Sequence, residues 1–181
     1  DSLCRPYEAA PIHDAPLAAV SDALERELLE GGFLDVALDP DLGTVTAALV
    51  VERLARLPVA VEAAAWALVR PALGDGLAYP LCLVEAARPN RPVRYLREGA
   101  SVVVLGEGLA HFRASLADFR AEPDALFAYP VATLLARTGE AWPGDRAEVL
   151  TRWRVALAAE AAGLLAAALD TTTSYLTDRK Q

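Results

Sequence analysis

The sequence predicts an α+β protein: N-terminal helices, a small antiparallel β module, then one long helix. Three observations predict it. Apolar residues recur at helical spacing in the first 73 residues. Short β-branched or aromatic runs broken by Pro, Asn and Gly follow from Tyr79 to Arg113. Helical spacing then returns from Asp145 to Gln181. Helices and strands that keep to separate stretches indicate α+β rather than a parallel α/β sheet. The spans are 1–77 for the helical part, 78–140 for the β module and 141–181 for the terminal helix.

Residues 1–16 are proline-rich and irregular. A first helix is predicted over 16–29, with Leu17, Val20, Leu24 and Leu28 inward and Glu30-Gly31-Gly32 as its stop. Residues 33–38 read as an extended or turn-like link and 39–43 as a loop. A second helix over 44–57 turns Ala47, Val50, Val51, Leu54 and Leu57 inward, and Pro58 breaks it. A third runs over 61–73 to Gly74-Asp75-Gly76. Strands are predicted over 79–85, 93–96, 102–105 and 109–113, and Gly106-Glu107-Gly108 reads as a hairpin turn. After Arg120 the chain reads as irregular.

The terminal helix starts at Pro143-Gly144-Asp145, with Asp145 as N-cap and Glu148 placed to close a capping box. Its inward face is predicted to hold Trp153, Leu157, Ala161, Leu164, Ala168, Thr172, Tyr175 and Leu176. No glycine, asparagine or proline stops it after Asp178, so the chain is expected to be a piece of a longer protein.

The chain has 181 residues, 54% of them hydrophobic by an alanine excess, and 23% charged. Its net charge of −8 argues against nucleic-acid and anionic-membrane surfaces. The apolar stretch 155–169 is interrupted by Glu160, and no membrane span is expected. Cys4 and Cys82 lie far apart in no metal-like cluster, which suits free thiols in a cytoplasmic protein. GxSxG, Walker and HExxH patterns are absent. His13 and His111 stand apart from nucleophiles in sequence, with packing or surface roles favoured. Glu27/Glu30 and Asp39/Asp41 suit solvated surfaces better than an acid–base dyad. No metal site and no catalytic residue is predicted in this chain.

The run from Ala158 through Gly163 to Asp170, then Tyr175 and Asp178-Arg179-Lys180-Gln181, resembles the first C-terminal-domain helix of acyl-CoA dehydrogenases. In that family a small-residue run with a glycine leads to an Arg-x-Gln/Thr-Phe-Gly signature, and this chain stops one residue before the phenylalanine. Leu42-Gly43 with the helix through Glu52-Arg53-Leu54-Ala55-Arg56, and Pro92 to Leu105, resemble further family segments. The resemblance implies a helical domain, a middle β domain and a C-terminal four-helix bundle. It also implies FAD, an acyl-CoA substrate, α,β-dehydrogenation of the thioester, an electron-transfer acceptor, lipid metabolism and a homo- or hetero-oligomer.

Arg179 and Gln181 match residues that reach the FAD of a neighbouring subunit, and Arg154 matches an arginine near the acyl-CoA. At 25 residues apart, Arg154 and Arg179 project within about 20° of one another. Departures are equally plain. The Thr-Glu-Pro…Gly-Ser-Asp and Trp-Ile-Thr/Ser segments are missing, Thr151 stands where some members have a CoA-binding aspartate, and Glu160 interrupts the small-residue run. The family's catalytic glutamate lies beyond Gln181. A non-catalytic partner subunit with a degenerate flavin site is the competing expectation.

Overall fold

The computed structural model describes residues 2–9, 20–88, 91–122, 129–135 and 139–179. Helix α1 (Asp22–Glu30) is capped by Ser21, whose hydroxyl accepts the Leu24 amide at 3.3 Å. It begins later than the period suggested because Val20 pairs in a parallel bridge with Ala60. Leu24 and Leu28 are fully buried as expected, and Leu17 lies outside the described residues. Residues 36–38 form a short 3₁₀ turn.

Helix α2 (Gly43–Ala55) buries Ala47, Val51 and Leu54. The third predicted helix is two short ones, α3 (Ala64–Leu68) and α4 (Arg70–Leu73), the second opening on Pro71. Proline at the second position of α4 has no N–H to give to the ladder, which divides the run there. The five residues of α3 are all buried, with Trp66 edge-on to Tyr79 at 5.4 Å.

Among the described residues, seven strands make two sheets. The first orders β1 (Leu81–Glu85), β3 (Ser101–Leu105), β4 (Leu109–Arg113) and β7 (Glu140–Trp142). The second orders β2 (Pro92–Arg94), β6 (Val131–Leu134) and β5 (Phe119–Ala121). The expected hairpin is β3–β4, closed by Gly106-Glu107-Gly108. Two expectations are corrected. The module is mixed rather than antiparallel, because β1 and β3 run parallel from Leu81↔Ser101 to Glu85↔Leu105. The stretch after Arg120 holds β6 and β7, whose three or four residues give too short an alternation to read by eye.

Helix α5 (Arg146–Asp178) is the predicted long helix. Asp145 caps it by accepting the Ala147 amide at 2.8 Å, but Glu148 does not close a box. It pairs instead with Arg152 one turn on, at 2.8 Å. The buried face also differs from expectation. Val149, Ala156 and Gly163 are the buried residues, whereas Leu164, Tyr175 and Leu176 are 52%, 58% and 63% exposed. The small residues won because α5 packs closely against α2. A Cβ on Gly163 would overlap the Glu52 carbonyl and lie 2.8 Å from the Ala55 Cβ. Helix axes come that close only where the contact lacks a side chain.

By length and composition α5 would suffice to cross a membrane, with 11% of its most apolar window buried. Its middle is held to the protein body at Gly163 and Glu160.

Candidate functional site

An ion pair joins the β module to α5. Arg94, the last residue of β2, donates from Nη1 and Nη2 to the two oxygens of Glu160 on α5, at 2.7 and 2.5 Å. The fork geometry of guanidinium and carboxylate suits this bidentate contact. Glu160 thus finds the partner that a carboxylate inside a small-residue run requires. The Arg94 guanidinium also lies 4.7 Å from the Tyr129 ring centroid, 5.5 Å from Tyr95 and 6.0 Å from Trp153. Hydrogen bonds to Glu160 hold the Arg94 pKa above its usual value despite burial. Its Nε is buried with no partner among the described residues.

Tyr95 follows with a φ of +56°, a left-handed backbone that ordinarily costs an L-residue about 1–2 kcal/mol. It is held there from both ends. Its amide donates to the Pro130 carbonyl at 2.8 Å and its hydroxyl to the Val61 carbonyl at 3.1 Å. Arg94, Tyr95 and Glu160 therefore form a wall with a cavity on each side. One, about 250 Å³, is lined by Glu62, Cys82, Arg88, Arg91, Trp153 and Leu157 among others. The other, about 300 Å³, is lined by Val51, Leu57, Pro58, Tyr129 and Leu164 among others. Both stand at or below the lower bound of pockets that hold drug-sized ligands.

Glu62 is the most perturbed carboxylate and was not singled out from the sequence. It is 3% exposed, and burial pushes its pKa up to about 7 against the opposing pull of the Ala65 amide and Arg94. Its two oxygens accept the Ala65 amide at 2.8 Å and the Leu81 amide at 3.4 Å, tying the start of α3 to β1. The available signal was a lone acid in the apolar run Val61-Glu62-Ala63-Ala64-Ala65-Trp66. Buried beside it, the Cys82 thiol donates to the Arg94 carbonyl at 3.3 Å, and burial raises its pKa.

One pair of catalytic residue types does come together. His111 Nε2 is 3.1 Å from Ser101 Oγ, and its ring lies 4.5 Å from that of Trp142. The hydroxyl also accepts the Ala78 amide at 2.7 Å, and Ser101 is 1% exposed. At that burial the Ser101 oxygen is closed to a substrate, so this contact packs the sheet. Burial lowers the His111 pKa. His13 lies outside the described residues. Among the described residues no group of His, Cys, Asp or Glu is placed to hold a metal.

The structure does not bring the residues suggested by resemblance into one site. Arg154 is exposed on α5 and lines neither cavity. Arg179 follows the last residue of α5, exposed, with its guanidinium 5.5 Å over the Tyr175 ring. About 37 Å of helix separates the two arginines. Gln181 lies outside the described residues.

The two cavities flanking Arg94 and Tyr95, about 250 and 300 Å³, are small for a dinucleotide. No family model, curated protein or solved structure matches the chain.

Proposed function

We propose that this chain is a non-catalytic partner subunit of an acyl-CoA dehydrogenase-type assembly, supporting a flavin site on a neighbouring chain. The observation that carries this reading is the position of Arg179. It stands exposed at the end of α5, its guanidinium over the Tyr175 ring of its own helix, where a ligand held by a neighbouring chain could meet it. A guanidinium so placed suits the oxygens of a pyrophosphate. The order of elements supports the reading: helices, a β module, then a long helix packed on α2 and α3. A C-terminal bundle of the family type would place further helices against α5.

The intact-enzyme reading, with FAD and acyl-CoA held by this chain, is less well served. The Arg94–Glu160 pair and its aromatic collar stand between β module and α5. Arg154 as an acyl-CoA contact belongs to the same proposal and would serve a neighbour's ligand.

Purification of the chain alone and co-expressed with a flavin-binding subunit of this type tests the proposal through the visible flavin spectrum. No flavin should accompany the chain alone, and flavin should be retained in the complex. Arg179→Ala should then weaken flavin retention by about tenfold or more, the worth of a charge-assisted hydrogen bond. Stoichiometric FAD on the chain alone would restore the enzyme reading. Flavin in neither sample would overturn both.

A further inference from the structure

Strand β1 is an edge of the first sheet, and all five of its residues line the cleft of about 250 Å³ beside Arg94. Parallel pairing with β3 fixes where its backbone groups point. Ser101 donates to the Pro80 carbonyl and Ala86 to the Leu105 carbonyl, so residues 80, 82, 84 and 86 turn their backbone groups to β3. Leu81, Leu83 and Glu85 turn theirs to the open edge. At its two ends the edge is already engaged. Glu62 accepts the Leu81 amide at 3.4 Å, and the Glu85 carbonyl accepts the Arg88 amide at 3.0 Å. Between them, the Leu81 carbonyl, both groups of Leu83 and the Glu85 amide have no partner among the described residues. A row of such groups is a template for another strand.

We propose that β1 receives a short extended segment of a partner protein, added parallel to it in this cleft. The inference rests on the open edge and is independent of the flavin reading. The free groups decide both orientation and length. In a parallel strand, one residue donates to the Leu81 carbonyl and accepts from the Leu83 amide. The residue two places on donates to the Leu83 carbonyl and accepts from the Glu85 amide. Three residues of the partner thus satisfy every free group and call on none that is taken. An antiparallel segment would also face the Leu81 amide and the Glu85 carbonyl, both engaged, and leave its own groups there unpaired.

Alternation then assigns the side chains. The middle residue shares the face of Leu83, which packs with Trp153 against the helical core, so it is apolar. The first and third share the face of Cys82 and Val84, toward the second sheet. Charge tells these two apart. Arg88 and Arg91 belong to the link from the end of β1 to the start of β2, so both stand at the Glu85 end and line the cleft. Arg88 is paired with Glu85 at 3.2 Å, whereas Arg91 is exposed with no partner among the described residues. Glu62 stands at the Leu81 end. The third residue is therefore acidic and the first is not.

Titration of the 181-residue chain with acetyl-Thr-Leu-Asp-amide, followed in proton–nitrogen correlation spectra, tests this. A few backbone hydrogen bonds on so small a ligand give a dissociation constant on the order of 1 mM. The largest shifts should fall at the Leu83 and Glu85 amides. N-methylation at Asp should weaken binding about tenfold, and N-methylation at Leu, whose amide points away from β1, by less than about twofold. Acetyl-Thr-Leu-Lys-amide should bind about tenfold more weakly than the Asp peptide, and Arg91→Glu should reverse that preference. Four results would overturn the proposal. They are no shift at about 10 mM peptide, shifts that avoid the β1 edge, equal binding of the Asp and Lys peptides, or loss on N-methylation at Leu rather than Asp. The last is the pattern of an antiparallel segment.

Discussion

The two halves of α5 differ both in composition and in surroundings. From Val149 to Ala167 the helix is set against α2 and α3, pinned by the missing side chain of Gly163 and the charge of Glu160. From Ala168 to Asp178 every residue is exposed, including Leu169, Tyr175 and Leu176. Seven alanines and four leucines stand in the attached half, against four threonines, a serine and two aspartates in the exposed one. Small residues let the attached half approach α2 closely, and Gly163 and Glu160 fix where it is held.

Gly163→Val should break the comparison most severely. Even a Cβ at this position overlaps the Glu52 carbonyl, so the side chain must push α5 off α2. A loss of about 3 kcal/mol is expected, read as a lower urea midpoint. Glu62→Gln tests the pinned half through pH. The Glu62 pKa is raised from 4.5 to about 7, so its contribution is full below pH 4.5 and is lost as pH rises through 7. That loss is about 3 kcal/mol in all, and the substituted chain should lack it, giving a flatter stability profile between pH 4.5 and 7.

Glu160→Ala leaves the Arg94 guanidinium without its carboxylate. The pair is partly exposed, with side chains at 23% and 13%, so about 2 kcal/mol is expected rather than the full penalty of a buried orphan charge. Glu160→Gln should recover part of it through one hydrogen bond. At the other extreme, Tyr175→Ser and Leu176→Ser in the free half should move monomer stability by less than about 0.5 kcal/mol. A large loss there in dilute solution would mean that the half is not free.

Much of the fold was legible because its signals are local. Pro58, Gly74 and Asp145 mark element ends through backbone chemistry that acts within a few residues. The β3–β4 hairpin was legible from its glycine turn for the same reason. The parallel pairing of β1 with β3 was not, because β2 intervenes in the chain and belongs to the other sheet. The covered face of α5 was misjudged because large side chains were assumed to point inward, whereas close approach to α2 selects the smallest.

Of the candidate site, the sequence supplied a question at Glu160 and the structure supplied its answer in Arg94, 66 residues away. Glu62 was missed because its role, accepting amides from α3 and β1, depends on elements that meet only in three dimensions. Arg154 and Arg179 came from resemblance to a family signature, and the fold of one chain gives neither a ligand.

The alternation of the two sheets along the chain has a mechanical consequence. Chain order takes β1 into the first sheet, β2 into the second, β3 and β4 back to the first, β5 and β6 to the second, and β7 to the first. A protease cut at the exposed turn around Leu116 therefore leaves strands of both sheets on each fragment. The fragments are sewn together by backbone pairing on two separate seams, β4 with β7 and β2 with β6. The nicked protein should travel as one particle until denaturant parts it.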